Sequence, residues 1–279
     1  MAVPFDLVAN QVVVGIRIGG RGPFACLLDT AVAPSVVDLT IARELGLRIS
    51  DDRPGEGAGQ GSEVATFYPS ELPDVRLGEL EVGDVEAVAF DLSRLGPKLN
   101  QPLHAILGQS FFEGRVVQID YPNRRVRLDP PGFEHGLRAD IEGATDLTPV
   151  VTARVNAASV PLVLDTGSSL TLGIYLESVE LLGLAEALAD AKPRLSTGAR
   201  GRIDAHEAVI DSLTLGDVQL SPVATVFLPR PHGDPTRALG NLGNGFLQHT
   251  VLTLDYPRRE LYIAAASSAP VFANEGMRG

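Results

Sequence analysis

Apolar and polar residues alternate along much of the chain. Val12, Val14, Ile16 and Ile18 are separated by single residues, as are Val75 and Leu77, and then Leu80 and Val82. A period of two is the signature of a half-buried strand. Glycine and proline, 29 and 20 of them, punctuate these runs as turns. Helical signals are few. Asp38 is placed to cap Leu39-Thr40-Ile41-Ala42-Arg43-Glu44-Leu45, with Gly46 as the stop, and Leu176 to Leu188 repeats apolar residues at helical spacing. The pattern predicts an all-β fold with a few short helices.

The pattern also occurs twice. Leu27-Leu28-Asp29-Thr30-Ala31 is answered by Val163-Leu164-Asp165-Thr166-Gly167-Ser168-Ser169, each at the end of an apolar strand-like run. Asp120-Tyr121-Pro122 returns as Asp255-Tyr256-Pro257, Val75-Arg76-Leu77-Gly78 as Leu213-Thr214-Leu215-Gly216, and Leu107-Gly108 as Leu242-Gly243. The offset is 136 residues between the motif aspartates and 135 between Asp120 and Asp255. Ordered matches in register mean a duplicated domain, because chance similarity does not keep order and spacing. Pro130-Pro131-Gly132 closes the first copy, and a polar stretch precedes Val150, where the second begins. The boundaries expected are a first lobe over 1–133, a linker over 134–148, a second lobe over 149–268 and a tail over 269–279.

If the copies fold alike and face each other, Asp29 and Asp165 meet as a carboxylate pair. Two like charges held close do not both ionise easily, so one proton is shared and the pair acts as acid and base at once. The copies are not identical. Ala31 and Val32 stand where the second copy has Gly167 and Ser168.

Strand, Asp-Thr-Gly, helix, glycine-rich hairpin and a Leu-Gly segment before a last strand together resemble the aspartic peptidases, in particular the bacterial retropepsin-like type. Here two such units are fused, as in pepsin-like enzymes, so the fold implied is bilobal, with two β-barrel-like lobes. The resemblance spans about Val12 to Ile263. It implies an aspartic endopeptidase with Asp29 and Asp165 as catalytic residues, a water between them, and neither cofactor nor metal. Thr30 and Thr166 correspond to hydroxyls that cross-brace the catalytic loops, with Ala31, Gly167 and Ser168 as further loop support. Gly57, Ala58, Gly59, Gln60 and Gly61 fall where the family carries a flap over the substrate, and Thr197 and Gly198 take the equivalent place in the second lobe. Glycine-rich hairpins open cheaply and close over substrate. The tyrosine of pepsin-like flaps is not seen, which brings the flap closer to the retroviral type.

The departures from the pattern carry expectations of their own. A Cβ at residue 31 costs on the order of 1–2 kcal/mol if the position needs positive φ or close backbone approach. Val32 lacks the hydroxyl that Ser168 would donate to Asp165, so Asp29 is expected to accept fewer hydrogen bonds and to hold the shared proton, with an activity optimum in the weakly acidic to neutral range. Where the first copy has Ile106-Leu107-Gly108, the second offers Asn241-Leu242-Gly243 by offset and Ala238-Leu239-Gly240 just before it, and both registers stay open.

Composition narrows the partners. A net charge of −12 argues against nucleic acid or an anionic membrane, which need clustered Lys and Arg. The single cysteine, Cys26, excludes an intramolecular disulfide and a cysteine metal cluster. His104, His135, His206, His232 and His249 lack ligand spacing, and Asp84, Asp91, Asp204 and Asp211 read as solvated. A serine hydrolase would need Gly-x-Ser-x-Gly, which Ser168 and Ser169 do not provide. No apolar run reaches the length of a membrane span, and no secretory signal is visible. The chain as written therefore reads as cytoplasmic, or as periplasmic or secreted if a signal was removed. The expected partner is a peptide or unfolded protein, and the doubled lobe makes a monomer sufficient. Two function classes follow: an active endopeptidase, or a peptide-binding or regulatory module whose catalysis is weakened or lost through Ala31.

Overall fold

The computed structural model describes residues 1–50, 52–57, 59–141 and 148–266. Among these residues the strands form three sheets. Eight strands build the first lobe, in the order Asp6–Val8, Gln11–Ile18, Arg21–Leu28, Ala105–Leu107, Ser35–Asp38, Leu80–Phe90, Thr66–Leu77, Gly55–Glu56. Gln11–Ile18 also pairs with Thr66–Leu77, which rolls the sheet towards a barrel and encloses Val12, Val14, Ile16 and Ile18. The period of two seen in the sequence is this barrel's inward face.

The second lobe repeats the arrangement in nine strands. The shared centre is a crossover. Arg21–Leu28 lies parallel to Ala105–Leu107, which lies antiparallel to Ser35–Asp38. Likewise Ala158–Leu164 lies parallel to Gly240–Leu242, which lies antiparallel to Leu172–Tyr175. Each Asp-Thr loop therefore leaves its first strand and returns on the other side of the short middle strand. The backbone pins it there: Asp29 N–H donates to Leu107 O at 3.0 Å, and Asp165 N–H to Leu242 O at 2.9 Å. That pair of bonds selects Asn241-Leu242-Gly243 as the counterpart of Ile106-Leu107-Gly108.

The third sheet joins the lobes. Its six strands run Ala2–Pro4, Arg125–Leu128, Val116–Asp120, Thr250–Asp255, Glu260–Ala265, Leu137–Asp140. The repeated Asp-Tyr-Pro segments are the turns of its two hairpins, lying side by side with Asp120 opposite Val251 and Asp255 opposite Val116. Both aspartates are turn caps. Asn123 N–H donates to Asp120 Oδ1 and Arg258 N–H to Asp255 Oδ1, each at 3.1 Å, where Arg124 and Arg259 take φ of 50° and 57°. Their charges are answered by Arg127 at 2.9 Å and Arg258 at 3.1 Å.

Two segments differ from expectation. The stretch read as a linker contains the strand Leu137–Asp140, paired with Glu260–Ile263 at the sheet edge. Only Leu137 and Ala139 of it are apolar, too short an alternation to stand out in the sequence. The helix expected over Leu176 to Leu188 is instead a 3₁₀ turn, Leu176–Ser178, and a helix, Ala185–Ala189, separated by Gly183 in the left-handed region. The helix Leu39–Leu45 forms as expected, with Asp38 Oδ1 accepting from Thr40 N–H at 3.0 Å and Gly46 at φ 68° ending it. The tail over 269–279 lies outside the described residues, as do residues 142–147 of the stretch read as a linker.

Candidate active site

The two Asp-Thr loops meet and interlock. Thr30 N–H donates to Thr166 Oγ1 and Thr166 N–H to Thr30 Oγ1, both at 3.1 Å. Each hydroxyl then donates into the opposite lobe, Thr30 to Leu164 O at 2.6 Å and Thr166 to Leu28 O at 2.8 Å. Both threonines are fully buried, so these four bonds work without competition from water. Behind them Tyr121 donates to Asn244 Oδ1 at 2.5 Å, and Asn244 Nδ2 donates to Thr166 O at 2.6 Å, tying the second loop to the inter-lobe sheet.

This brace brings Asp29 and Asp165 together. Burial raises the Asp29 carboxyl well above the usual range, the charge of Asp165 raises it further, and one donor opposes them, the Ala31 N–H at 2.8 Å from Oδ1. Burial also raises Asp165, but more donors oppose it: the Asn241 amide at 3.1 Å from Oδ2, the Gly167 N–H at 3.0 Å from Oδ1, and the Ser168 N–H. Donors stabilise the charged form. Asp165 is thus the better carboxylate and Asp29 the better holder of a proton.

The source of this asymmetry differs from the sequence expectation. The Ser168 hydroxyl accepts from Leu170 N–H at 3.3 Å and leaves Asp165 to the Ser168 backbone and to Asn241. The reason is local: a serine two residues before an amide closes its own turn. The strain expected at Ala31 is also absent. Neither Ala31 nor Gly167 occupies the left-handed region, and Ala31 is exposed. The close approach is on the other side, where a methyl on Gly167 would lie 2.0 Å from Asp29 Oδ2.

The glycine-rich segments meet across the lobes. Gly59 and His232 exchange backbone bonds of 2.9 and 3.0 Å, while Arg200 N–H donates to Gln60 O at 2.8 Å and Glu63 N–H to Arg200 O at 2.9 Å. The Arg200 guanidinium, nearly buried, donates to Gly57 O at 2.6 Å and pairs with Glu56 at 2.9 Å. Gly61 and Gly198 are small by necessity, since a methyl would stand 2.2 Å from Arg200 O at the first and 2.4 Å from Gln60 O at the second. The Thr197 carbonyl accepts from Lys98 of the first lobe. Ala58 lies outside the described residues.

Three residues with no role in the site expected from the sequence also converge here. Gln11 Nε2 donates to Gly167 O at 2.5 Å from the turn of the first hairpin. Asn241 and Arg200 are the others, and of the three only Asn241 carried a signal, as the polar residue standing opposite Ile106 in the repeat. The histidines take no part in a cluster: His104 Nδ1 accepts from Ala25 N–H at 3.0 Å, and among the described residues no group of three or more His, Cys, Asp or Glu is placed to hold a metal ion. No helix among the described residues is long and apolar enough to cross a membrane.

A half-buried pair of like carboxyls that shares one proton can take a proton from a water and give one to a leaving group without a metal or a covalent intermediate. An aspartyl protease family matches the chain twice, over residues 14–111 and 151–246, one match in each repeat. No curated protein matches it at a significant level.

Proposed function

The chain belongs to the aspartyl protease family, and on that premise we propose that it is an endopeptidase in which Asp29 and Asp165 hydrolyse a peptide bond lying between the lobes. Asp165, ionised, takes a proton from a water between the carboxyls, and the resulting hydroxide attacks the scissile carbonyl. Asp29, protonated, donates to that carbonyl oxygen. Collapse of the tetrahedral diol breaks the C–N bond, the amine leaves with the proton from Asp165, and a diol hydroxyl returns its proton to Asp29 as the carboxyl product forms, which restores the shared-proton state.

The observation that carries this reading is the interlocked brace of Thr30 and Thr166 with the unequal donor sets on the two carboxyls. It gives the chemistry both its distance and its direction. The glycine-rich segments around Gly59–Gly61 and Thr197–Gly198 serve as the lid, offering backbone groups to an extended peptide. Because the carboxyls are raised, the optimum falls in the weakly acidic to neutral range.

Cleavage of an unfolded protein substrate by the parent, Asp29→Asn and Asp165→Asn proteins, with and without a statine-type analogue, tests the reading. Either substitution should lower the rate by about 10²–10⁴-fold or more, and the analogue should inhibit the parent. Binding of the same peptide by parent and Asp165→Asn without turnover by either would replace the enzyme with a peptide-binding module.

A further inference from the structure

We propose that Asn241 is a positioning residue that sets the direction of proton sharing, its side-chain amide holding Asp165 as the ionised member of the pair. The inference rests on the reading of Asp29 and Asp165 as the reacting carboxyls. Asn241 stands in the short middle strand Gly240–Leu242, beside Val163 at the base of the second loop. It is 8% exposed, and its Nδ2 donates to Asp165 Oδ2 at 3.1 Å. An amide NH₂ group only donates, so this bond favours a carboxylate over a carboxylic acid.

The rest of the side chain shows what the arrangement costs. Asn241 Oδ1 is buried with no hydrogen-bond partner among the described residues. It lies against Gly173, where a methyl would come within 2.0 Å of it, so the room for the amide is made by a glycine on the neighbouring strand. A buried carbonyl oxygen left unbonded lowers stability. In the first lobe the same register position is Ile106, which is buried, lies beside Leu27 and carries no such penalty. A polar group kept where the other lobe packs an apolar one is explained by what its other end touches.

The titratable groups facing Asp165 are Asp29, Tyr121 and Tyr175. Burial pushes both phenols up, so they stay neutral across the working range. Asp29 is left as the partner whose titration matters.

Asn241→Val and Asn241→Thr form a matched pair that differs only in a hydroxyl. The pH profile of kcat/KM separates the two carboxyls, because its acidic limb reports the group that ionises first and its alkaline limb the group that ionises second. With Asp165 ionising first, loss of the amide moves the acidic limb of Asn241→Val up by about one pH unit and leaves the alkaline limb in place. Asn241→Thr falls between Val and parent. Movement of the alkaline limb alone, or of neither, overturns the proposal. At a pH acid enough to keep Asp165 protonated in both proteins, the melting temperature of Asn241→Val should equal or exceed that of the parent, since the unbonded oxygen is gone and no carboxylate loses its donor, and this separates the pH effect from damage to the fold. If Val does not fold, Thr against parent makes the same comparison. A parent that cleaves nothing at any pH sinks the peptidase reading alone. Carbon-13 NMR titration of Asp165 then decides this inference: it requires a higher midpoint in the variant, and an unchanged one refutes it.

Discussion

Gly167→Ala and Ala31→Gly exchange the one difference between the two loops that the repeat makes obvious, and their effects should be far from mirror images. A methyl on Gly167 would sit 2.0 Å from Asp29 Oδ2 and 2.2 Å from Cγ, while ordinary contact begins at 3.4 Å. The carboxyl or the loop must give way, and the four threonine bonds resist movement of the loop. Overpacking of this kind costs about 1–3 kcal/mol of stability. A misplacement of about 1 Å at the reacting atoms costs about 10²-fold in rate, or about 2.7 kcal/mol of barrier. Ala31 is exposed and outside the left-handed region, so Ala31→Gly relieves nothing. It should lower stability by about 0.4–1 kcal/mol through the unfolded chain and leave kcat/KM within about threefold. The assay is kcat/KM on an unfolded protein substrate with thermal melting of the same samples. Parental activity in Gly167→Ala would refute the close-approach argument. A tenfold or larger gain in Ala31→Gly would show that Ala31 handicaps the site and would favour the binding-module reading.

Other outcomes follow from the same geometry. Thr30→Val and Thr166→Val each remove a hydroxyl that donates once and accepts once in a dry site, so each should cost about 2–4 kcal/mol in denaturant unfolding; a loss below about 0.5 kcal/mol in both would contradict the brace. Because burial and Asp165 raise the Asp29 carboxyl in the folded state, the stability it supports is complete at acid pH and lost as pH rises through the folded value. Asp29→Asn should therefore raise the melting temperature at neutral pH, with the gain vanishing towards pH 4; a gain independent of pH would point elsewhere. Arg200→Met removes the guanidinium from Gly57 O and Glu56, and hydrogen exchange at 59–63 should quicken while the rest of the first lobe keeps its protection; unchanged exchange would show that the backbone pairs of Gly59 and Gln60 suffice.

Much of the site was legible because duplication writes itself along the chain. The two Asp-Thr motifs, their offset, and the Leu-Gly segments beneath them appear as repeated words, and the cross-brace of Thr30 and Thr166 is expected from the resemblance to the aspartic peptidases. The cap of Asp38 and the stop at Gly46 are local chemistry, complete within nine residues. The reading failed where one residue served two neighbours. Ser168 is expected to serve Asp165 through its hydroxyl, but it does so through its backbone N–H, while the hydroxyl oxygen accepts from Leu170. The cost assigned to Ala31 belongs to Gly167, because the crowding arises between loops and not within one.

The sequence by itself determined the strand pattern, the doubling and the identity of the paired aspartates, since each is a property of spacing along one dimension, while the register of the second Leu-Gly segment needed the backbone bond of Asp165 to Leu242. From the sequence Asp165 is expected to be the better served carboxylate, but only the tertiary structure decided which donors serve it. That choice rests on Asn241, 76 residues from Asp165. The structure alone also brought Gln11 to the second loop, 156 residues away, and Arg200 to Gly57, 143 residues away. Such bonds have no periodicity and no motif. The Asn241 bond forms because the second lobe sets Gly240–Leu242 beside the strand that ends at Asp165, and the other two because the inter-lobe sheet and the threonine brace fix two lobes so closely that donors on one end beside acceptors on the other.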